Sequence, residues 1–232
     1  MTADKDALET LYPFLHGARR DEESVTAGLV ESIRRKAEDG IDVKRRFFAQ
    51  NEEALVATAR ALAAVYRGGG RLFTMGNGGS SCDAAHIAVE FQHPVTAGRP
   101  ALPATNLGAD TAFATAVGND VGFVHIYLRQ IEAQARPGDG VIGISTSGNS
   151  ANLMAAFEKA KQMGLTTVGL AGMNGGEMAN SACLDHCLVV PTDSIHRIQE
   201  CHVTIYHILW DLVHTLLADE RGGLAAAEGT TP

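Results

Sequence analysis

Two pairs of side chains in this sequence have types and spacings that could do chemistry. His86 and Glu90 lie four positions apart, so on a helix they share one face. An imidazole and a carboxylate held side by side can exchange protons or share a cation. A solvated glutamate beside a packed histidine would leave the same trace. Gln199 and His207 lie eight positions apart in a second helical stretch, about 80° from one another around its axis. In that stretch Ile198, Ile205, Leu209, Leu212 and Leu216 form an apolar stripe, and His196, Glu200, Val203, His207 and His214 form a line on the opposite side. Such a line suggests a second buried face with polar work to do; hydrogen-bonded core or interface histidines remain the alternative.

Two turns could hold the ligand on which such groups act. Residues 75–81 read MGNGGSS and residues 145–150 read STSGNS. Each follows a short apolar run and precedes a helical pattern. Glycine lets the backbone approach a ligand closely, and the first N–H groups of the next helix are left without helical partners. Ser145, Thr146, Ser147 and Ser150 place four hydroxyls in six residues. That set suits a phosphate monoester without any lysine. A plain turn with a serine helix cap is the simpler reading. Neither turn matches a nucleotide-binding signature, as there is no GxxxxGK[ST] and GNGGSS is not GxGxxG.

The elements that must position these residues follow from the hydrophobic pattern. From about Ser24, apolar residues recur at helical spacing, through Val25, Leu29 and Ile33 and then Val43, Phe47 and Phe48. Gly40 interrupts, which predicts two helices meeting there, the second ending at residues 68–70, a run of three glycines. Short apolar runs RLFTM, ALPATNL, GDGVIGI, TTVGLAG and HCLVVP then alternate with helical stretches, including one from Ala112 to Val117, one from about Phe123 to Ala135, and a last one from about Ser194 to Asp219. That alternation predicts a parallel sheet with helices on both faces, an α/β three-layer sandwich with five strands plus N-terminal helices. Residues 1–22 are expected to form a flexible extension, residues 23–220 a single domain, and residues 221–232 a flexible tail.

Composition narrows the classes of function. The 232 residues carry 27 acidic and 19 basic side chains, a formal net charge of -8. A general nucleic-acid binder needs clustered Lys and Arg, so none is expected here. No run approaches the roughly 20 apolar residues of a membrane span. Residues 1–12 are acidic and lack a basic segment followed by an apolar one, so a cytoplasmic location is expected. Cys82, Cys183, Cys187 and Cys201 are too few for a disulfide framework.

The chain resembles the sugar isomerase (SIS) domain family, and within it the phosphoheptose isomerases. The anchors are GNGGSSCDAAHIAVEF (76–91), RPALPA (99–104), VGNDVGF (117–123), GISTSGNSAN (143–152), GLAGMNGGEMA (169–179) and RIQECHVTIYHIL (197–209). The resemblance implies the five-stranded SIS fold, a homotetramer with active sites at subunit interfaces, and interconversion of sedoheptulose 7-phosphate and D-glycero-D-manno-heptose 7-phosphate. It implies that Asn77, Gly78, Gly79, Ser80, Asn119, Asp120 and Gln199 contact the sugar and that Ser145, Thr146, Ser147 and Ser150 hold the phosphate. His86, Glu90, Gln199 and His207 match catalytic and metal-binding positions, with zinc as the implied ion. On this reading Glu90 carries a proton between carbons through an enediol and His207 serves the oxygens. Two positions depart from the family pattern: Pro94 stands where arginine is usual, and His196 where aspartate is often found. Both bear on which sugar phosphate is taken. An isomerase of another sugar phosphate, or a non-catalytic phosphosugar-binding regulator, is the alternative; relatives of the latter kind lack the Glu and His that are present here as Glu90 and His207.

Overall fold

The computed structural model describes residues 22–219. The expectations for residues 1–21 and 220–232 therefore lie outside the described residues. Contacts divide the chain into two compact units, which part between Ile41 and Asp42. In the first, residues 22–41 are helical, with Val25, Leu29 and Ile33 exposed. The second holds the sheet, the remaining helices and all the candidate site residues.

The first helix, α1, spans Glu22–Arg67. It does not break at Gly40, as the sequence suggested. Gly40 is buried within regular helix, and the break falls at Asn51 (φ -127°, ψ 16°), whose side chain donates to the carbonyl of Phe47 at 2.8 Å. An asparagine amide that competes for a backbone carbonyl interrupts a helix locally, whereas one glycine only weakens it.

The other elements are β1 (Leu72–Gly76), α2 (Gly79–Gln92), β2 (Ala104–Asn106), α3 (Thr111–Asp120), a 3-10 turn at Phe123–His125, α4 (Leu128–Gln134), β3 (Gly140–Ser145), α5 (Ala151–Gln162), β4 (Thr166–Gly172), α6 (Gly176–Asn180), β5 (His186–Val190) and α7 (Ile195–Asp219). The expected helix from Phe123 to Ala135 is two pieces, the 3-10 turn and α4. The short α6 gave no periodic signal, because five residues are too few to show a helical period. No helix among the described residues is long and apolar enough to cross a membrane.

All five strands are parallel, in the order β2-β1-β3-β4-β5. The interiors of β1, β3 and β4 are buried on both faces, while the edge strands β2 and β5 are partly half-buried. Leu72, Ile142, Ile144, Val168 and Leu170 pack with α2, α7 and the C-terminal part of α1. Phe73, Met75 and Val141 face the other way, against α4 and α5, where Phe157 is fully buried. Each such large side chain contributes roughly 1.5–3 kcal/mol by burial. Thr74, also fully buried, donates its hydroxyl to the carbonyl of Ala84 at 2.7 Å and so pins β1 to α2.

The strand order fixes where a ligand belongs. From β1 the chain passes to β2 on one side, then returns to β3 on the other side of β1. The carboxyl ends of β1 and β3 are therefore the topological switch point, where adjacent loops diverge and leave a crevice. Residues 77–81 follow β1 and residues 146–150 follow β3. The two turns singled out by composition are the two that flank this crevice.

Candidate active site

Helix α2 carries two lines of residues. Ala84, Ile87, Ala88 and Phe91 are buried against the sheet and α7. Asp83, His86 and Glu90 form the adjacent line and are half-buried. His86 Nε2 lies 3.1 Å from Glu90 Oε1, and the two side chains are 42% and 21% exposed. They are thus open to a ligand but shielded on one side. The indole N–H of Trp210 donates to the Glu90 carbonyl at 2.9 Å, which ties the end of this line to α7.

Helix α7 supplies the opposing wall. It is buried over a wider arc than the sequence stripe implied: Cys201, His202, Tyr206, Trp210, Val213 and His214 are buried along with Ile198, Ile205 and Leu209, while Leu212 and Leu216 are only half-buried. His214 belongs to this core, packed between Phe91 and Trp210, rather than to a polar line. His207 stays half-buried, with its ring edge-on to His86 at 5.0 Å between centroids. Its Nδ1 lies 2.9 Å from the carbonyl of Val203. A carbonyl only accepts, so Nδ1 carries a hydrogen, and in the neutral ring Nε2 is the nitrogen with the lone pair. One ligand atom each from His86, Glu90 and His207 lie within 4.8 Å of one another. Two imidazole nitrogens and a carboxylate oxygen so grouped are a donor set that suits a zinc-like cation.

Gln199 reaches the same end of the sheet. A Cβ placed on Gly79 would lie 2.3 Å from Gln199 Nε2, so the amide rests directly on the first residue of α2. Only glycine admits this approach.

The two turns are built as one unit. Asn77 and Asn152 exchange a reciprocal pair of amide hydrogen bonds, 2.9 Å each, across the crevice. Asn152 is buried and also accepts from the N–H of Leu153 at 3.1 Å. In the second turn Ser145 Oγ and Ser150 Oγ lie 2.9 Å apart. Ser150 is the N-cap residue of α5 yet makes no side-chain cap, and Gly78 leaves α2 uncapped in the same way. Both helix N-termini therefore keep backbone donors available at the crevice, the arrangement that favours an oxyanion. Thr146 and Ser147 are half-buried in this turn, and Ser80 is buried at the start of α2. Gly148 (φ +68°) closes the turn against the carbonyl of Gly175, and Asn149 Oδ1 accepts from the Glu177 N–H at 2.9 Å.

Asn119 and Asp120 stand apart. They end α3, are exposed, and hydrogen-bond to each other at 2.9 Å. Among the described residues, no hydrogen bond, ion pair or ring contact joins them to His86, Glu90 or His207. Asp120 lines a separate cavity of about 350 Å³ with Phe113, Ala116, Val117, Val121 and Arg129. Pro94 is half-buried just beyond α2, and His196 is exposed in the first turn of α7.

Three residues near the site were not singled out from sequence. Asp83 extends the His86–Glu90 line at i, i+3, i+7, a spacing that could have found it. Tyr206 places its hydroxyl 2.8 Å from His86 Nδ1. Asn152 lies within the GISTSGNSAN segment, but nothing in its spacing marks the partnership with Asn77. Burial raises the Asp83 carboxyl, with the nearby His86 and the Tyr206 hydroxyl acting the other way. Burial, then the carboxylates of Asp83 and Glu90, raise the Tyr206 phenol.

The comparisons with known proteins agree with this architecture. The SIS domain model matches residues 37–172. A phosphoheptose isomerase of Roseiflexus sp. is 42% identical over 198 residues, covering 85% of this chain and 98% of that protein. One from Aquifex aeolicus is 39% identical over 191 residues, covering 82% and 99%. Among solved structures, a phosphoheptose isomerase from Neisseria gonorrhoeae matches with a TM-score of 0.75 at 34% identity, covering 81% of this chain and 99% of that one. The chain belongs to the SIS domain family.

Proposed function

We propose that this protein is a phosphoheptose isomerase that converts sedoheptulose 7-phosphate to D-glycero-D-manno-heptose 7-phosphate through an enediol. One observation carries the reading: a carboxylate and an imidazole, Glu90 and His207, offer atoms within 4.8 Å of each other in a chain that also forms a crevice walled by two oxyanion-favouring turns. The names of the relatives at about 40% identity point to the same reaction.

The phosphate is received by the turn of Ser145, Thr146, Ser147 and Ser150 and by the N-terminus of α5. Holding that end fixes the sugar and makes the later proton transfers effectively intramolecular. Asn77, Gly78, Gly79, Ser80 and Gln199 line the path toward the carbonyl end. Glu90 takes a proton from the carbon beside the carbonyl and returns it to the neighbouring carbon. His207, with its hydrogen fixed on Nδ1, offers Nε2 to the oxygens and moves the second proton between them. The same side chains, His86, Glu90, Gln199 and His207, would hold a zinc ion, which when bound would supply Lewis-acid polarisation of the carbonyl in place of the free His207 Nε2.

We infer further that the enzyme is a homotetramer and that Asn119 and Asp120 serve a neighbouring subunit's site. Their exposure and their separation from the cluster of their own chain support this. The decisive experiment is turnover of sedoheptulose 7-phosphate by purified protein, with and without zinc, alongside Glu90→Gln. Formation of the aldose by the wild type, and tight binding without turnover by Glu90→Gln, are expected. No aldose from the wild type under either condition would overturn the reading.

A further inference from the structure

Behind His86 lies a chain of polar groups that no role above uses. Tyr206 Oη stands 2.8 Å from His86 Nδ1 and also bears on the Asp83 carboxylate. Asp83 Oδ2 is sealed from solvent and lacks a hydrogen-bond partner of its own. The phenol has one hydrogen and two acceptors competing for it. A carboxylate is the stronger acceptor, and leaving it buried without a donor is the costlier outcome.

We propose that Asp83 and Tyr206 are positioning residues: Asp83 accepts from the Tyr206 hydroxyl, Tyr206 Oη accepts from His86 Nδ1–H, and His86 Nε2 is left with its lone pair facing Glu90 and His207. His207 is set the same way by a different device, since its Nδ1–H donates to the carbonyl of Val203 at 2.9 Å. Both imidazoles then present Nε2 lone pairs toward one point, and Glu90 Oε1 stands 3.1 Å from the first of them. Three electron-rich atoms converging without a hydrogen between them require a cation there. The opposite arrangement, with the hydrogen on His86 Nε2, would satisfy Glu90 but fill the cation's place and strand Asp83. A histidine ligand generally depends on such an outer hydrogen bond, and its loss costs about 10–100-fold in metal affinity.

This inference rests on the proposed metal-holding role of His86, Glu90 and His207, but it is tested without any sugar. The position of the His86 hydrogen is read by long-range ¹H–¹⁵N NMR on uniformly labelled, zinc-loaded protein, with the signal assigned by its loss in His86→Gln. Zinc affinity is measured by competition with a chromophoric chelator for wild type, Tyr206→Phe, Asp83→Asn and the double variant. The expected result is a hydrogen on Nδ1 in the wild type. Each single variant should lose about 10–100-fold in zinc affinity. The double variant should be no weaker than the singles, because the two residues act as one unit. A hydrogen on Nε2, no zinc binding by the wild type, single variants within about twofold of wild type, or losses that multiply in the double variant would each overturn it. The two readings fail separately: a wild type with the relay signature but no isomerisation defeats only the function, and turnover with unchanged zinc affinity in the variants defeats only the relay.

Discussion

At the residue scale, the candidate site reduces to a question of what stands beside what. His86 and Glu90 were legible because a helix converts a separation of four into contact, and the 3.1 Å approach of Nε2 to Oε1 is that rule realised. The pairing of both with His207 was not legible from spacing, since it depends on how α7 packs against α2. Glu90→Gln keeps the shape of the carboxylate and removes its basicity, so kcat should fall by about 10²–10⁴-fold with sugar-phosphate binding retained. Gly79→Ala gives a different signature. Its Cβ would meet Gln199 Nε2 at 2.3 Å, and the amide can swing away at small cost to the fold. Thermal stability should change little while KM rises several-fold. A large loss of stability with unchanged KM would show that the contact is only packing.

At the element scale, the strand and helix order was legible from alternation alone, and the boundaries of β4 agree with the run TTVGLAG. The failures have physical causes. Gly40 does not break α1, because a buried glycine in a long helix is tolerated when packing favours it, and the break at Asn51 comes from a side-chain bond that composition does not reveal. The turn between β3 and α5 depends on Gly148, where φ is +68° and a Cβ would stand 2.0 Å from the carbonyl oxygen of Gly175. Gly148→Ala should cost about 1–3 kcal/mol or more in denaturant melts and weaken phosphate binding with it. The join between α7 and β4 sets a pH limit. His202 is fully buried, its Nε2–H donates to the carbonyl of Ala171 at 3.0 Å, and burial depresses its pKa from 6.5 to about 4. The unfolded chain therefore binds a proton between these values that the folded chain does not. Stability from this group is complete above pH 6.5 and is lost as pH falls toward 4. Thermal melts should show this decline, and His202→Gln should flatten it.

At the scale of the whole molecule, the 2-1-3-4-5 sheet explains why two turns nearly 70 residues apart in sequence form one crevice, with the Asn77–Asn152 pair holding them together. The sequence pattern could nominate both turns, but only the strand order makes them neighbours. Asn119 and Asp120 are exposed and hydrogen-bond to each other, with no such contact to His86, Glu90 or His207 of their own chain among the described residues. If a neighbouring subunit's site uses them, mixed assemblies of Asp120→Asn and Glu90→Gln should recover part of the activity that each lacks separately. No recovery from verified mixed assemblies would place each site within a single chain. Sedimentation should give a tetramer, and a stable monomer with full activity would contradict the shared-site arrangement.

The most direct test of Glu90-mediated isomerisation through an enediol is the fate of one hydrogen. Sedoheptulose 7-phosphate would be incubated with the enzyme in D₂O and followed by NMR, in parallel with Glu90→Gln. The expected result is an aldose heptose phosphate carrying solvent deuterium at C2, absent with the variant. Product formed equally by Glu90→Gln would contradict proton transfer by this carboxylate, whereas product without deuterium would mean that Glu90 returns the proton before it exchanges with solvent.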